Sequence, residues 1–68
     1  MNDETLNLTT RQFLKRFGIT AQREIERAVR AGIQEGRLTG SESLRVRATL
    51  AIPGVLNEME IDGEIALG

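Results

Sequence analysis

The C-terminal stretch "SLRVRATLAIPGVLNEMEIDGEIAL" carries two runs of alternation in opposite phase. Leu44, Val46, Ala48, Leu50 and Ile52 are apolar at even positions. Beyond Pro53-Gly54 the apolar residues Met59, Ile61, Ile65 and Leu67 are odd, while Glu58, Glu60, Asp62 and Glu64 fill even places. A period of two describes a strand with one apolar face, and two such runs across a Pro-Gly describe an antiparallel hairpin. The phase dictates a register. With residues 53–56 as a four-residue loop, Ile52 faces Asn57, Leu50 faces Met59, Ala48 faces Ile61, Val46 faces Gly63 and Leu44 faces Ile65. The other side then pairs Thr49 with Glu60, Arg47 with Asp62 and Arg45 with Glu64. Opposite charges across strands contribute about 0.2–1 kcal/mol each, and a slip by one residue would expose the whole apolar row. A two-residue Pro-Gly turn keeps the same faces but pairs Arg45 with Asp62 and Arg47 with Glu60. Pro-Gly favours a type II turn, which splays strands, so the longer loop is the preferred reading. The strands are expected at about residues 44–52 and 57–67.

Ahead of the hairpin, the periodicity changes to that of helices. Thr9 with Gln12 has the form of a capping box, Leu8 and Phe13 stand at staple positions, and Phe13, Leu14 and Phe17 form an apolar stripe before Gly18. The acids of "NDET" also suit an earlier start near Asn2 or Asp3. A second stripe, Ala21, Ile25, Ala28, Val29, Gly32 and Ile33, follows Thr20 as N-cap and ends at Gly36. These signals predict helices at about 3–17 and 21–35. The expected architecture is α+β, a single small domain in which two N-terminal helices pack on a C-terminal antiparallel β-hairpin in the order ααββ, covering its apolar face.

Composition removes several classes of function. The chain of 68 residues has no Cys and no His, which excludes disulfides and the usual structural zinc sites and leaves little for nucleophilic or general-base catalysis. Ser41 and Ser43 lie in the Gly-containing loop "GRLTGSES", where serine is ordinary turn chemistry. Glu58, Glu60, Asp62 and Glu64 are oxygen donors of the kind that hold hard cations, but without EF-hand spacing and with arginines opposite. No enzyme activity, metal or cofactor is expected. "MNDETLNL" has neither a basic n-region nor an apolar h-region, and no apolar run has membrane-spanning length. The expectation is a cytoplasmic protein with no membrane association.

Charge is unevenly spread. The net charge is −1, yet residues 11–47 hold all nine basic residues and only four acids, a net of +5. Arg23, Arg27 and Arg30 stack at helical spacing opposite the apolar stripe, and Arg37 follows just beyond Gly36. Guanidinium forks suit phosphate oxygens, so these four are the candidate nucleic-acid contacts. The competing account is a solvated face, with Glu24 at i,i+3 from Arg27 and Glu26 at i,i+4 from Arg30. The lack of Trp and Tyr and the low pI favour that account. "FLKRFGITAQREIERAVR" has the outline of a helix-turn-helix, but Ile25 falls one place late and Glu24 occupies the core slot. A plain helical hairpin is the better reading.

The stretch "TRQFLKRFGITAQREIERAVRAGIQEGRL", with a hairpin ending in "DGEIAL", resembles a family of small bacterial proteins catalogued only as a domain of unknown function. That resemblance implies a small stand-alone protein and supplies no catalytic residue, cofactor or partner. The expected function is a small non-enzymatic interaction or regulatory module with an unidentified protein partner. It is expected to self-associate as a homodimer, because a chain this short has a marginal core and a two-stranded sheet has two open edges. The alternative is a nucleic-acid-associated protein using Arg23, Arg27, Arg30 and Arg37.

Overall fold

The computed structural model describes residues 1–68, and its elements are α1 (Asp3–Gln34), β1 (Ser43–Ile52) and β2 (Leu56–Ala66). The class is α+β, but the order is αββ: one helix precedes the hairpin where two were expected. The chain divides into two compact units, Met1–Arg37 and Leu38–Gly68.

In the first unit, the helix runs unbroken for 32 residues, about 48 Å at 1.5 Å per residue. It starts at the earlier of the two sequence alternatives. Asn2 is the N-cap, its Oδ1 accepting from the backbone N–H groups of Glu4 at 2.9 Å and Thr5 at 3.1 Å. Asp3 and Glu4 occupy the first turn, where the helix dipole favours anions. Thr9 does not cap; its hydroxyl donates back to the Thr5 carbonyl at 2.8 Å, as a threonine inside a helix does. Thr20 is likewise interior, and Gly18 is not a stop: it is absent from the glycines with positive φ.

The reason for continuity is energetic. A glycine inside a helix costs about 1 kcal/mol relative to alanine, whereas a break at residue 18 would create two further ends, each with four unsatisfied backbone groups. A break would also require a second nucleation. Leu14, Phe17, Ala21, Ile25, Ala28 and Gly32 follow one another by three or four residues, so the stripe passes through Gly18 in phase. The helix does end where expected, in a Schellman motif. Gly36, at φ 79°, donates to the Ile33 carbonyl at 3.1 Å, and Arg37 donates to the Gly32 carbonyl at 2.9 Å.

The second unit is the antiparallel hairpin. Its register is the expected one from Leu44–Ile65 through Leu50–Met59, including Arg45–Glu64, Arg47–Asp62 and Thr49–Glu60. The turn differs. Val55 N–H donates to the Ile52 carbonyl at 2.9 Å, with Gly54 at φ 79° after Pro53, the geometry of a type II turn over residues 52–55. Ile52 therefore pairs with Leu56 rather than Asn57, and the register shifts between Leu50 and Ile52. Two steps along β1 match three along β2, a bulge that places Asn57 and Glu58 together opposite Ala51. The extra residue and added twist let a type II turn close a hairpin that it would otherwise splay. The bulge also brings the even-numbered Leu56 onto the face of Ile52.

Along β1, Leu44, Val46, Ala48 and Leu50 are half-buried and the residues between them exposed. Opposite them Ile65 is half-buried, whereas Met59 and Ile61 are exposed. No hydrophobic side chain in either unit is buried. A single unbroken helix has no second helix to close against.

Candidate functional site

The arginines predicted as anion contacts divide between the helix and its exit. Arg23, Arg27 and Arg30 lie on one helical face, since their spacing keeps them within about 60° at 100° per residue. Two of them are engaged locally. The Arg27 guanidinium lies 2.7 Å from Glu24 Oε1, and Arg30 lies 4.0 Å from Glu26 Oε1. Arg37 sits past the Schellman turn, where its Nη2 and Nε lie 2.8 and 2.9 Å from Glu35 Oε1. Glutamates within four residues thus accompany three of the four candidates. All these pairs are well exposed, and exposed pairs contribute on the order of 0–1 kcal/mol. Their effect here is to offset most of the local positive charge rather than to hold the fold, three glutamates standing beside four arginines. The Arg37–Glu35 pair was not anticipated from helical spacing, because it forms across the turn created by Gly36.

The hairpin's polar face is a second charged surface. Arg47 Nε lies 3.4 Å from Asp62 Oδ1 and 3.9 Å from Glu60 Oε2, so one guanidinium serves the opposite and a diagonal carboxylate. Arg45 faces Glu64 in the register, but Glu64 Oε2 instead accepts from the Ser43 hydroxyl at 3.3 Å. No three Asp or Glu carboxylates converge into a set that could hold a metal ion.

Glu42 organises the entry to β1. Its carboxylate accepts from Thr39 N–H at 2.8 Å and Gly40 N–H at 3.0 Å. The Thr39 backbone donor is the main cause that holds this carboxyl below the usual glutamate range; Gly40 adds to it, and partial desolvation opposes them. The Glu42 carbonyl also accepts from Leu67 N–H at 2.9 Å, beyond the end of β2. This carboxylate has a structural role, tying the loop to the hairpin's open end.

The feature missed by sequence reading is the apolar face of the helix's first half. Leu6, Phe13, Leu14 and Phe17 are 53%, 49%, 49% and 50% exposed. Phe13 and Phe17 stack on one another with ring centroids 6.4 Å apart and an interplanar angle of 18°. In the expected two-helix arrangement Phe13, Leu14 and Phe17 face the hairpin. The signal that corrects this is the unbroken phase of the stripe across Gly18, which leaves no fold-back to cover them. Shallow depressions on the same half of the helix are lined by Thr9, Gln12, Phe13 and Arg16, and by Gln12, Lys15, Arg16 and Ile19. Neither brings together the nucleophile and base of a covalent mechanism or a pair of carboxylates.

A long amphipathic helix followed by a two-coloured hairpin, with charged and apolar surfaces, is the class that this geometry defines. The chain belongs to the Family of unknown function (DUF6494), whose model matches residues 1–68. No curated protein and no solved structure matches it. No helix is long and apolar enough to cross a membrane.

Proposed function

We propose that this protein is a small non-enzymatic interaction module that self-associates as a homodimer. The observation that carries the reading is the absence of any buried hydrophobic side chain, together with the half-exposed Leu6, Phe13, Leu14 and Phe17. Ordering a residue's backbone costs about 1–2 kcal/mol, and burial of apolar surface is the main term that offsets it. A chain that leaves its large apolar side chains half-open gains that burial by pairing, and contiguous exposed apolar surface is the usual mark of an interaction site. Light scattering at tens of micromolar should give twice the 7.5 kDa chain mass, with a melting temperature that rises with concentration. A monomer mass with a concentration-independent melt removes the proposal.

A second reading, contact with nucleic-acid phosphates through Arg23, Arg27, Arg30 and Arg37, draws on their shared exposure and on Arg23, which makes no ion pair. The glutamates beside the other three weaken it. It requires affinity for mixed DNA or RNA that falls steeply between two salt concentrations, with a slope set by the number of phosphates neutralised.

A further inference from the structure

We infer that two copies of this chain associate through the first halves of their helices, packed antiparallel along the face of Leu6, Phe13, Leu14 and Phe17. This rests on the self-association proposed above and names the surface, the occupant and its direction.

The surface comes first. At 100° per residue, Leu6, Thr10, Phe13, Leu14 and Phe17 span about 100° of the helix circumference, a stripe wide enough to seat another helix. A Phe buries roughly 150–250 Å² when enclosed, so each half-exposed Phe offers about 100 Å², and each Leu somewhat less. Two copies facing one another would bury on the order of 800 Å² from these side chains. The aliphatic stems of the flanking Arg11 and Arg16 and the Thr10 methyl bring this to about 1,000 Å². That is the lower edge of specific interfaces.

Charge then selects the occupant and its direction. The helix opens with Asp3 and Glu4, after which residues 5–23 contain Arg11, Lys15, Arg16 and Arg23 and no acid. Parallel, in-register pairing would set the acidic starts side by side and the basic segments side by side. Antiparallel pairing that seats Leu6 of one copy beside Phe17 of its partner sets the small Thr10 beside the bulky Phe13. It brings Asp3 and Glu4 level with residues 20 and 19 of the partner, within about one turn of Arg16 and Arg23. It also opposes the helix dipoles. The second copy is thus a complementary partner for this face in one direction only. The symmetry axis falls between Arg11 and Gln12, and the contact is closed and isologous.

The chain has no cysteine, so single nitroxide labels can be placed through Gln12→Cys or Gln22→Cys, both off the apolar face. Pulsed-EPR distances at a concentration that populates the dimer should be about 20 Å for the Gln12 label, the width of the helix pair, because this residue lies level with the axis but on the outer face. For the Gln22 label they should be about 35–40 Å, combining that width with about 30 Å along the helices, twice its distance from the axis at 1.5 Å per residue. The double change Phe13→Glu/Phe17→Glu should abolish the dimer in light scattering while circular dichroism retains the helix. Equal distances at the two labels mean parallel pairing, and overturn the inference. So does any dimer whose mass survives the double change, or whose distances fit neither pattern; in these cases self-association stands and this surface is wrong. A monomer in every form removes both proposals.

Discussion

Gly18 sits at the middle of α1, and replacing it with alanine distinguishes a continuous helix from a helical hairpin by the sign of the effect. A Cβ built at Gly18 meets no atom within 4 Å, and its φ is not positive. The new methyl therefore costs no strain, and the gain is the helix-propensity difference, about 1 kcal/mol, part of it from a stiffer unfolded chain. For a domain of this size, 1 kcal/mol corresponds to a rise in melting temperature of about 4–8 °C. Thermal melts followed by far-UV circular dichroism, at one fixed protein concentration, read this directly. Gly36→Ala is the internal contrast. There φ is 79°, in the left-handed region, so the same methyl should lower the melting temperature although it too meets open space. A Gly18→Ala variant that melts lower than the parent, as Gly36→Ala does, would mean that residue 18 adopts a turn conformation, and would refute the unbroken helix.

Two further outcomes follow from the charged surfaces. Arg47→Glu should destabilise the hairpin by up to about 1 kcal/mol, since it sets a third carboxylate beside Glu60 and Asp62, while Arg23, Arg27 and Arg30 changed together to Gln should leave the melting temperature nearly unmoved; the reverse order of damage in urea titrations would overturn that division. Because the Glu42 carboxyl titrates below the ordinary glutamate range in the folded chain, its contribution is complete above the unfolded pKa and is lost as pH falls through the folded one. Glu42→Gln should thus lower the melting temperature at neutral pH, by an amount that shrinks under acid, and a gap independent of pH would contradict the role assigned to the Thr39 and Gly40 hydrogen bonds.

The hairpin was legible because side-chain period and charge pairing are both sequence-local, and they agree. Two apolar rows of opposite phase admit few registers, and Arg45 and Arg47 opposite Glu64 and Asp62 select among them. The bulge was not legible. It depends on how a type II turn at Pro53-Gly54 is reconciled with strand twist, and nothing in "VLNE" marks which residue is extra. The helix failed for a different reason. Thr9, Thr20 and Gly18 are each genuine end signals, worth about 1 kcal/mol apiece, and local signals of that size are outvoted by the cost of two more helix ends. The phase of Leu14, Phe17, Ala21 and Ile25 held the answer, and giving it more weight than the caps would have found it. The candidate site was partly readable: the Glu24 and Glu26 partners of Arg27 and Arg30 follow from spacing. The open face at Phe13 and Phe17 follows only once the stripe is read through Gly18.

The two-stranded sheet leaves each strand with one unpaired edge, and the segregation of charge along the strands governs what those edges accept. Two β2 edges brought together align Glu60, Asp62 and Glu64 against the same carboxylates, and two β1 edges align Arg45 and Arg47 with their own kind. Only unlike edges attract, and a β1-to-β2 contact is head-to-tail: it leaves one edge free on each end and does not close. Growth of that sort is a fibre rather than a dimer. In the monomer Arg47 already lies beside Asp62 and Glu60, which lowers the attraction available for such growth. The same guanidinium that holds the strands in register thereby guards the molecule against polymerising through them.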